Sequence, residues 1–448
     1  MLIPPWISSN VLNFETENSR AYISNLKTFG LFWLQKEASD LWYIILNSKN
    51  INGVYEYAKK KKLEEEVPHF LYMLEENGLL FSKEENIHNK KTLIFANNQK
   101  EKEQENTSFL SQWSQLNIKE NKLTRIQFDV TYRCNENCIH CFNDKTMPNV
   151  EISFEEIKPI IDDAYELGLT QIVFSGGECT LIKDFLKIAK YIKNKRIEFI
   201  FFTNGQKLYD NKDFFEEVVN LYPHYIGLSL YSMEPEIHEK ITRVKGSHFK
   251  TLKVIEKLKE RNVPVEIKCF LTKYNADSYL EVVNFAKENN FRYGLDENLV
   301  PNKNYSNFHA QVTDKQQKDL YKYLYKNKLT KFKNVIDEEF LNDFPCISGR
   351  TTLDIDPNLN VTSCPTANFN FANLHNISLK ELWNSKNSNS PLKKWSNVTR
   401  RDFTNCFKFE YCAYCNFCPG KCIDDYTRIN VLCRVAKIKM EIAKKYES

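Results

Sequence analysis

Arg133-Cys134-Asn135-Glu136-Asn137-Cys138-Ile139-His140-Cys141 places three cysteines in the spacing CxxxCxxC, directly after a strand-like run at 125–131. At the cysteine frequency of this chain, such a triple arises by chance about 0.01 times. Three thiols on one short loop form a metal-binding arrangement. In barrels of parallel strands, the loops at the C-terminal strand ends carry the chemistry. Three thiolates cannot fill a four-iron cube, so one iron keeps an open position. The competing reading is a structural zinc with its fourth ligand elsewhere.

Working outward, residues 123–300 alternate strands and helices, the pattern of βαβ units with a parallel sheet. Strands are expected at 125–131, 171–175, 198–203, 225–231, 265–272 and about 292–295. The first helix opens with Ser153-Phe-Glu-Glu156, a capping box, and stops at Gly168. Six units fit an incomplete (β/α) barrel. By strand parity Ile126, Phe128 and Val130 face the helices, while Gln127, Asp129 and Thr131 face inward. Likewise Ser229, Tyr231, Glu266, Lys268 and Thr272 point in, and Cys269 points out into the core. So polar a lumen departs from the aliphatic packing of a closed barrel and suggests a partial barrel with substrate inside. At the next strand end, Phe174-Ser175-Gly176-Gly177-Glu178 offers glycines that let backbone approach a ligand and a carboxylate for a cationic group.

Together these motifs resemble the radical S-adenosylmethionine (radical SAM) superfamily over about residues 123–300. The resemblance implies a [4Fe–4S] cluster on Cys134, Cys138 and Cys141, with SAM chelating the fourth iron. It assigns Gly176, Gly177 and Glu178 to the SAM amino group, and likens Thr203-Asn204-Gly205 to the segment at the third strand end. Ser229 and Arg243 take the places of residues that often meet SAM in that family. Cys179 stands where the family usually has proline and reads as a small buried side chain. The chemistry implied is formation of a 5′-deoxyadenosyl radical that abstracts hydrogen from a substrate held in the lumen.

Eight of the thirteen cysteines lie between 346 and 433, six of them within 28 residues. They are Cys346, Cys364, Cys406, Cys412, Cys415, Cys418, Cys422 and Cys433. The region reads as loop-rich, with helices at about 379–383 and 433–445, and as held together by metal. It resembles the SPASM extension, which implies two auxiliary [4Fe–4S] clusters. The spacing departs from the commonest pattern, and the usual glycine before Cys364 is missing. The eight therefore do not sort into two sets from sequence, and Cys422 is the least expected ligand. A zinc ribbon is the alternative.

Residues 1–85 carry no cysteine. They read as strands at 19–24 and 30–34, helices at 38–46, 51–61 and 65–76, and a strand at Leu79-Leu80-Phe81. This winged-helix-like pattern resembles the domain that binds leader peptides in enzymes maturing ribosomal peptides, by adding the leader as a strand. A DNA-binding winged helix is disfavoured because the third helix begins Glu64-Glu65-Glu66 and ends Glu75-Glu76. A purely structural cap is the remaining option. Residues 86–122, rich in Lys, Glu, Asn and Gln, read as a linker with one short element near 92–95.

The net charge of +4 gives no sign of a nucleic-acid binder. No apolar run suits a membrane span, and the start lacks signal-peptide character, so a cytoplasmic protein is expected. The expected architecture is α/β: a module at 1–85, a linker at 86–122, a partial (β/α)6 radical SAM barrel at 123–330 and a SPASM domain at 331–448. The resemblance implies a maturase that forms a thioether (sactionine-type) cross-link from a cysteine sulfur of a precursor peptide to a carbon. The peptide would be bound through its leader. An external flavodoxin- or ferredoxin-like donor would supply electrons, and an auxiliary cluster would hold the thiolate or take the second electron. The alternatives are a carbon–carbon cross-link, maturation of a folded sulfatase- or dehydrogenase-type partner, and a non-catalytic iron–sulfur regulator.

Overall fold

The computed structural model describes residues 3–12, 15, 18–25, 30–48, 51–81, 115–143, 149–302, 305–327, 329, 335–367, 369–387, 389–403, 406, 409–415, 418 and 426–447. Cys422 and the element expected near 92–95 lie outside them.

Three antiparallel strands open the chain: β1 (Ile7–Leu12), β2 (Arg20–Asn25) and β3 (Gly30–Gln35), in the order β1-β2-β3. Helices α1 (Lys36–Ser48), α2 (Ile51–Lys61) and α3 (Val67–Glu76) follow. They cover the sheet with a core that includes Ile23, Trp42, Val54 and Leu74. Pro68 sits in the first turn of α3, where its missing N–H costs no hydrogen bond.

Sequence reasoning missed β1. Its side chains are buried without alternation, because it lies between β2 and the rest of the molecule. Ser9 N–H donates to the Arg196 carbonyl and Asn10 Nδ2 to the Leu169 carbonyl. β2, in the middle of this sheet, is buried throughout. Leu79, Leu80 and Phe81 form no strand beyond a single bridge at Phe81, and all three are buried in the core of this module.

The second sheet holds nine strands among the described residues. Six run parallel: β4 (Arg125–Asp129), β5 (Gln171–Ser175), β6 (Glu198–Thr203), β7 (Tyr225–Ser229), β8 (Val265–Phe270) and β9 (Arg292–Asp296). Helix α4 (Phe154–Glu166) starts with the expected capping box. Glu156 N–H donates to Ser153 Oγ, and Ser153 N–H donates to the Glu156 carboxylate. Ile126, Phe128, Leu228, Ile267 and Cys269 pack on the helix side in one core, as parity requires.

A hairpin from the cysteine-rich region extends this sheet. β10 (Thr352–Ile355) pairs parallel with β4, then β11 (Asn360–Thr362) and β12 (Ala372–Asn373) follow antiparallel. The sequence reading treated this stretch as loops. The turn from β10 to β11 passes through Leu359 at φ 62, a left-handed conformation normally left to glycine. Asp356 Oδ1 accepts from Asn358 N–H and Asn360 N–H and closes the turn. More helix is present than expected here: Leu379–Asn384, Pro391–Ser396 and the long C-terminal helix Tyr426–Glu447.

The first module sits at the N-terminal ends of the barrel strands. Leu169 precedes β5 and Arg196 precedes β6, and both contact β1. Tyr22 donates to the Glu198 carboxylate at the start of β6 (3.0 Å). The outer edge of β3 faces away from β2, its one strand partner among the described residues. No helix of the described residues is long and apolar enough to cross a membrane.

Candidate metal and cofactor site

The three cysteines sit on the loop after β4, at the opposite end of the barrel from the first module. Hydrogen bonds to its backbone fix that loop from three directions. Gly177 N–H donates to the Thr131 carbonyl (2.6 Å) and Glu178 N–H to the Arg133 carbonyl (2.9 Å). Asn137 N–H and Ile139 N–H donate to the carbonyls of Thr242 and Ile241. Asn307 Nδ2 donates to the carbonyls of His140 and Cys141. The His140 ring stacks on Phe270 (4.6 Å, 10°) and meets Tyr231 edge-on.

The glycine pair has a packing role of its own. A Cβ on Gly176 would lie 2.4 Å from the Thr131 carbonyl oxygen, and one on Gly177 would lie 2.3 Å from that of Arg133. Both glycines let the second strand end close onto the cysteine loop itself. Glu178 is also more than a carboxylate set out for a cation. It is 1% exposed, and it accepts from Thr180 Oγ1 (2.6 Å), Thr180 N–H (3.2 Å), Thr203 Oγ1 (2.7 Å) and Asn204 N–H (2.8 Å). Burial pushes its pKa up, and these donors pull against that. The residue ties the second strand end to the third.

Asn204 passes the connection on: its Nδ2 donates to Asn135 Oδ1 (2.6 Å) and lies 4.0 Å from Cys134 Sγ. Ser229 reaches the loop through Tyr231, whose hydroxyl interacts with both Ser229 and Cys138. Arg243 is exposed, at φ 60, where it caps the helix Pro235–Thr242. Its backbone directly follows Thr242, which anchors Asn137. Cys179 and Cys269 are buried, as expected, and Cys179 Sγ donates to the Phe202 carbonyl.

The donor chemistry suits an iron–sulfur cluster. Burial pushes the Cys134 thiol up to about 12, with Glu178, Glu136 and Cys141 adding repulsion. Cys138 is raised by burial, then by Glu136 and the other two thiols. The raised thiols of Cys134 and Cys138 need a compensating cation to ionise readily, and a bound metal deprotonates its thiol ligands outright. In the C-terminal region Cys406, Cys415 and Cys433 are raised by burial and then by neighbouring thiols, Cys412 among them in every case, so the four form a second set; Cys415 is pushed up to about 12. Cys346 and Cys364 act on other groups, Arg350 and Asp354. Among the described residues no three His, Cys, Asp or Glu side chains converge on a single ion. Ligands at separate corners of a cube lie further apart than those around one zinc, where Zn–S is about 2.3 Å.

Sequence reasoning found the cysteines and the glycine motif. It missed Tyr231 as a partner of Cys138, His140 as the stacking residue and Asn307, which reaches the loop from a segment without any motif.

Residues 128–288 match the model of the radical SAM superfamily. The chain carries a radical SAM domain. Residues 346–419 match the SPASM iron–sulfur cluster-binding domain. This radical SAM/SPASM chain therefore takes SAM and [4Fe–4S] clusters, auxiliary clusters included. It is 28% identical over 176 residues to Fe-coproporphyrin III synthase of Methanosarcina barkeri, covering 39% of this chain and 43% of that protein. It is 23% identical over 306 residues to the antilisterial bacteriocin subtilosin biosynthesis protein AlbA of Bacillus subtilis, covering 65% and 66%. The chain spans about half the length of several curated relatives it matches (43%, 47% and 53%). Its fold is similar to that of Streptococcus suis SuiB bound to precursor peptide SuiA, with TM-score 0.52 and 16% identity, covering 95% of this chain and 97% of that one.

Proposed function

We propose that this radical SAM/SPASM chain matures a ribosomally made precursor peptide by joining a cysteine sulfur to a carbon of another residue. The observation that carries the reading is the combination of a three-thiol loop over a polar lumen with a separate four-thiol set in the C-terminal region. AlbA, a bacteriocin biosynthesis protein by name, supports it, as does the precursor-bound state of SuiB. When bound, the SAM-loaded cluster supplies a carbon radical able to take hydrogen from an unactivated C–H bond.

The residues of this chain do the positioning. Gly176 and Gly177 lock the cysteine loop to the second strand end, and Glu178 and Asn204 lock it to the third. Tyr231 and Phe270 support His140 from the lumen side. Residues 1–85 serve as the leader-binding domain, with the outer edge of β3 accepting the leader as an added strand. Residues 123–330 form the catalytic barrel and 331–448 the auxiliary-cluster domain. An external one-electron donor of the flavodoxin or ferredoxin class completes the system, which works in the cytoplasm.

The test is anaerobic incubation with SAM, a reductant and the precursor peptide. The product should lose two hydrogens and one alkylatable thiol per link, and a peptide stripped of its leader should react poorly. A product that keeps every thiol alkylatable overturns thioether formation and leaves a carbon–carbon link as the outcome.

A further inference from the structure

Where β10 joins β4, two carboxylates share the lumen. Asp129 ends β4, and Asp354 on β10 sits opposite Gln127 in the parallel register. Their strand neighbours Phe128, Leu353 and Ile355 pack on the helix side, so both aspartates face the other way. Asp129 is 4% exposed and Asp354 3%. Two acids buried together cannot both carry charge without compensation.

The compensation available within the chain is thin. Gln127 Nε2 reaches Asp129 Oδ1 at 3.4 Å and Thr362 Oγ1 reaches Asp354 Oδ2 at 3.5 Å. Asp354 Oδ1 is buried and has no hydrogen-bond partner among the described residues. The other groups acting on the pair are Asp356, at the turn after β10, and Cys364, just past β11, and neither is a cation. Burial raises both carboxyls; Asp129 is pushed up to about 7, with Asp356 adding to the rise, and Asp354 is raised further by the charge of Asp129.

We propose that Asp129 and Asp354 form a subsite for a cationic side chain of the substrate, a lysine ammonium or an arginine guanidinium projecting into the lumen. The proposal rests on the peptide-maturase reading and narrows it to substrates with a basic residue near the reacting position. A long basic side chain suits the place because its apolar stem passes the lumen wall while its charged tip reaches the buried oxygen. A cation there also provides donors for Asp354 Oδ1, to which no described residue donates.

The experiment uses the full holo-chain and side-chain fragments as probes, so it needs no identified peptide. n-Butylammonium and methylguanidinium are titrated by NMR, with 1-pentanol as the neutral counterpart and potassium as an inorganic competitor. The expected result is saturable binding of both organic cations, none of 1-pentanol, and at least a tenfold weakening in both Asp354→Asn and Asp129→Asn. Thermal unfolding of each variant checks that it is folded, and the conservative Asp354→Glu should recover part of the binding. Absence of binding at 100 mM, equal binding in folded Asn variants, or displacement by potassium at equal concentration each overturns the subsite. Should peptide turnover fail while fragment binding holds, the maturase reading falls and the cation subsite stands.

Discussion

Around Cys134 long-range hydrogen bonds do the positioning, whereas around Cys412 side-chain packing does: Ala413 and Tyr414 share a core with Val435, Ala436 and Ile438 of the C-terminal helix. The first loop is tied to β5, to the segment 241–242 and to Asn307 by hydrogen bonds across large sequence separations. In the second region the backbone bonds recorded at Cys406, Cys412 and Cys415 go to Phe403, Phe409 and Cys412, all within a turn. One set of thiols sits on a loop tied to distant strands and loops, the other on a short segment packed against one helix. The comparison separates metal that serves chemistry from metal that serves folding.

The largest effect that tests this contrast is loss of a barrel cysteine. Cys134→Ala, Cys138→Ala or Cys141→Ala should abolish SAM cleavage, measured as 5′-deoxyadenosine, by at least about a thousandfold. Stability should change little at Cys134, which reaches the surface although the loop around its thiol desolvates it, by about 0.5 kcal/mol, and the iron of the auxiliary clusters should persist. Cleavage at the wild-type rate breaks the assignment.

Removing metal tests the other side. Anaerobic chelation should open residues 403–433 to proteolysis while 125–300 stay resistant. Equal protection of both regions by mass-mapped digestion removes the contrast.

Gly177→Ala comes next. Its Cβ has no room against the Arg133 carbonyl, so the loop must move, at a cost of about 1–3 kcal/mol. SAM cleavage should drop at least about tenfold. Gly246→Ala is the control, because its surroundings are open and only its φ of 80 is at stake, a cost of about 1 kcal/mol. Similar kinetics in the two variants contradict the locking role.

The smallest effect lies at Leu359. Leu359→Gly relieves about 1–2 kcal/mol of left-handed backbone cost but removes a buried side chain of about 2–3 kcal/mol. Denaturant unfolding of the holoprotein should show a net loss of about 1 kcal/mol. A gain would mean that the β10–β11 turn contributes conformation and little packing.

Local patterns carried the parallel strands: β5 and β6 run over the residues expected, because each is bounded by turn signals and apolar on the helix face. β1 was illegible because Ser8, Ser9 and Asn10 are buried by a neighbouring domain rather than by their own hydrophobicity. β10 was hidden because its partner β4 lies more than two hundred residues away, and pairing over such a distance leaves no local signature. The cysteine triple was plain in the sequence because ligand spacing is local. Tyr231 and Asn307 were not, since their roles exist only once the loops meet.

The docking of the first module beneath the barrel has a consequence for any peptide held on β3. Strands of five or six residues, at about 3.3 Å each, make the barrel roughly 17–20 Å tall, and the cysteine loop crowns the far rim. A tethered chain must climb that height, which takes about six extended residues before bends and the detour around the wall are added. The span works as a molecular ruler: residues too close to the anchor fall short of the rim, and distance along the peptide selects the reacting position before local sequence does.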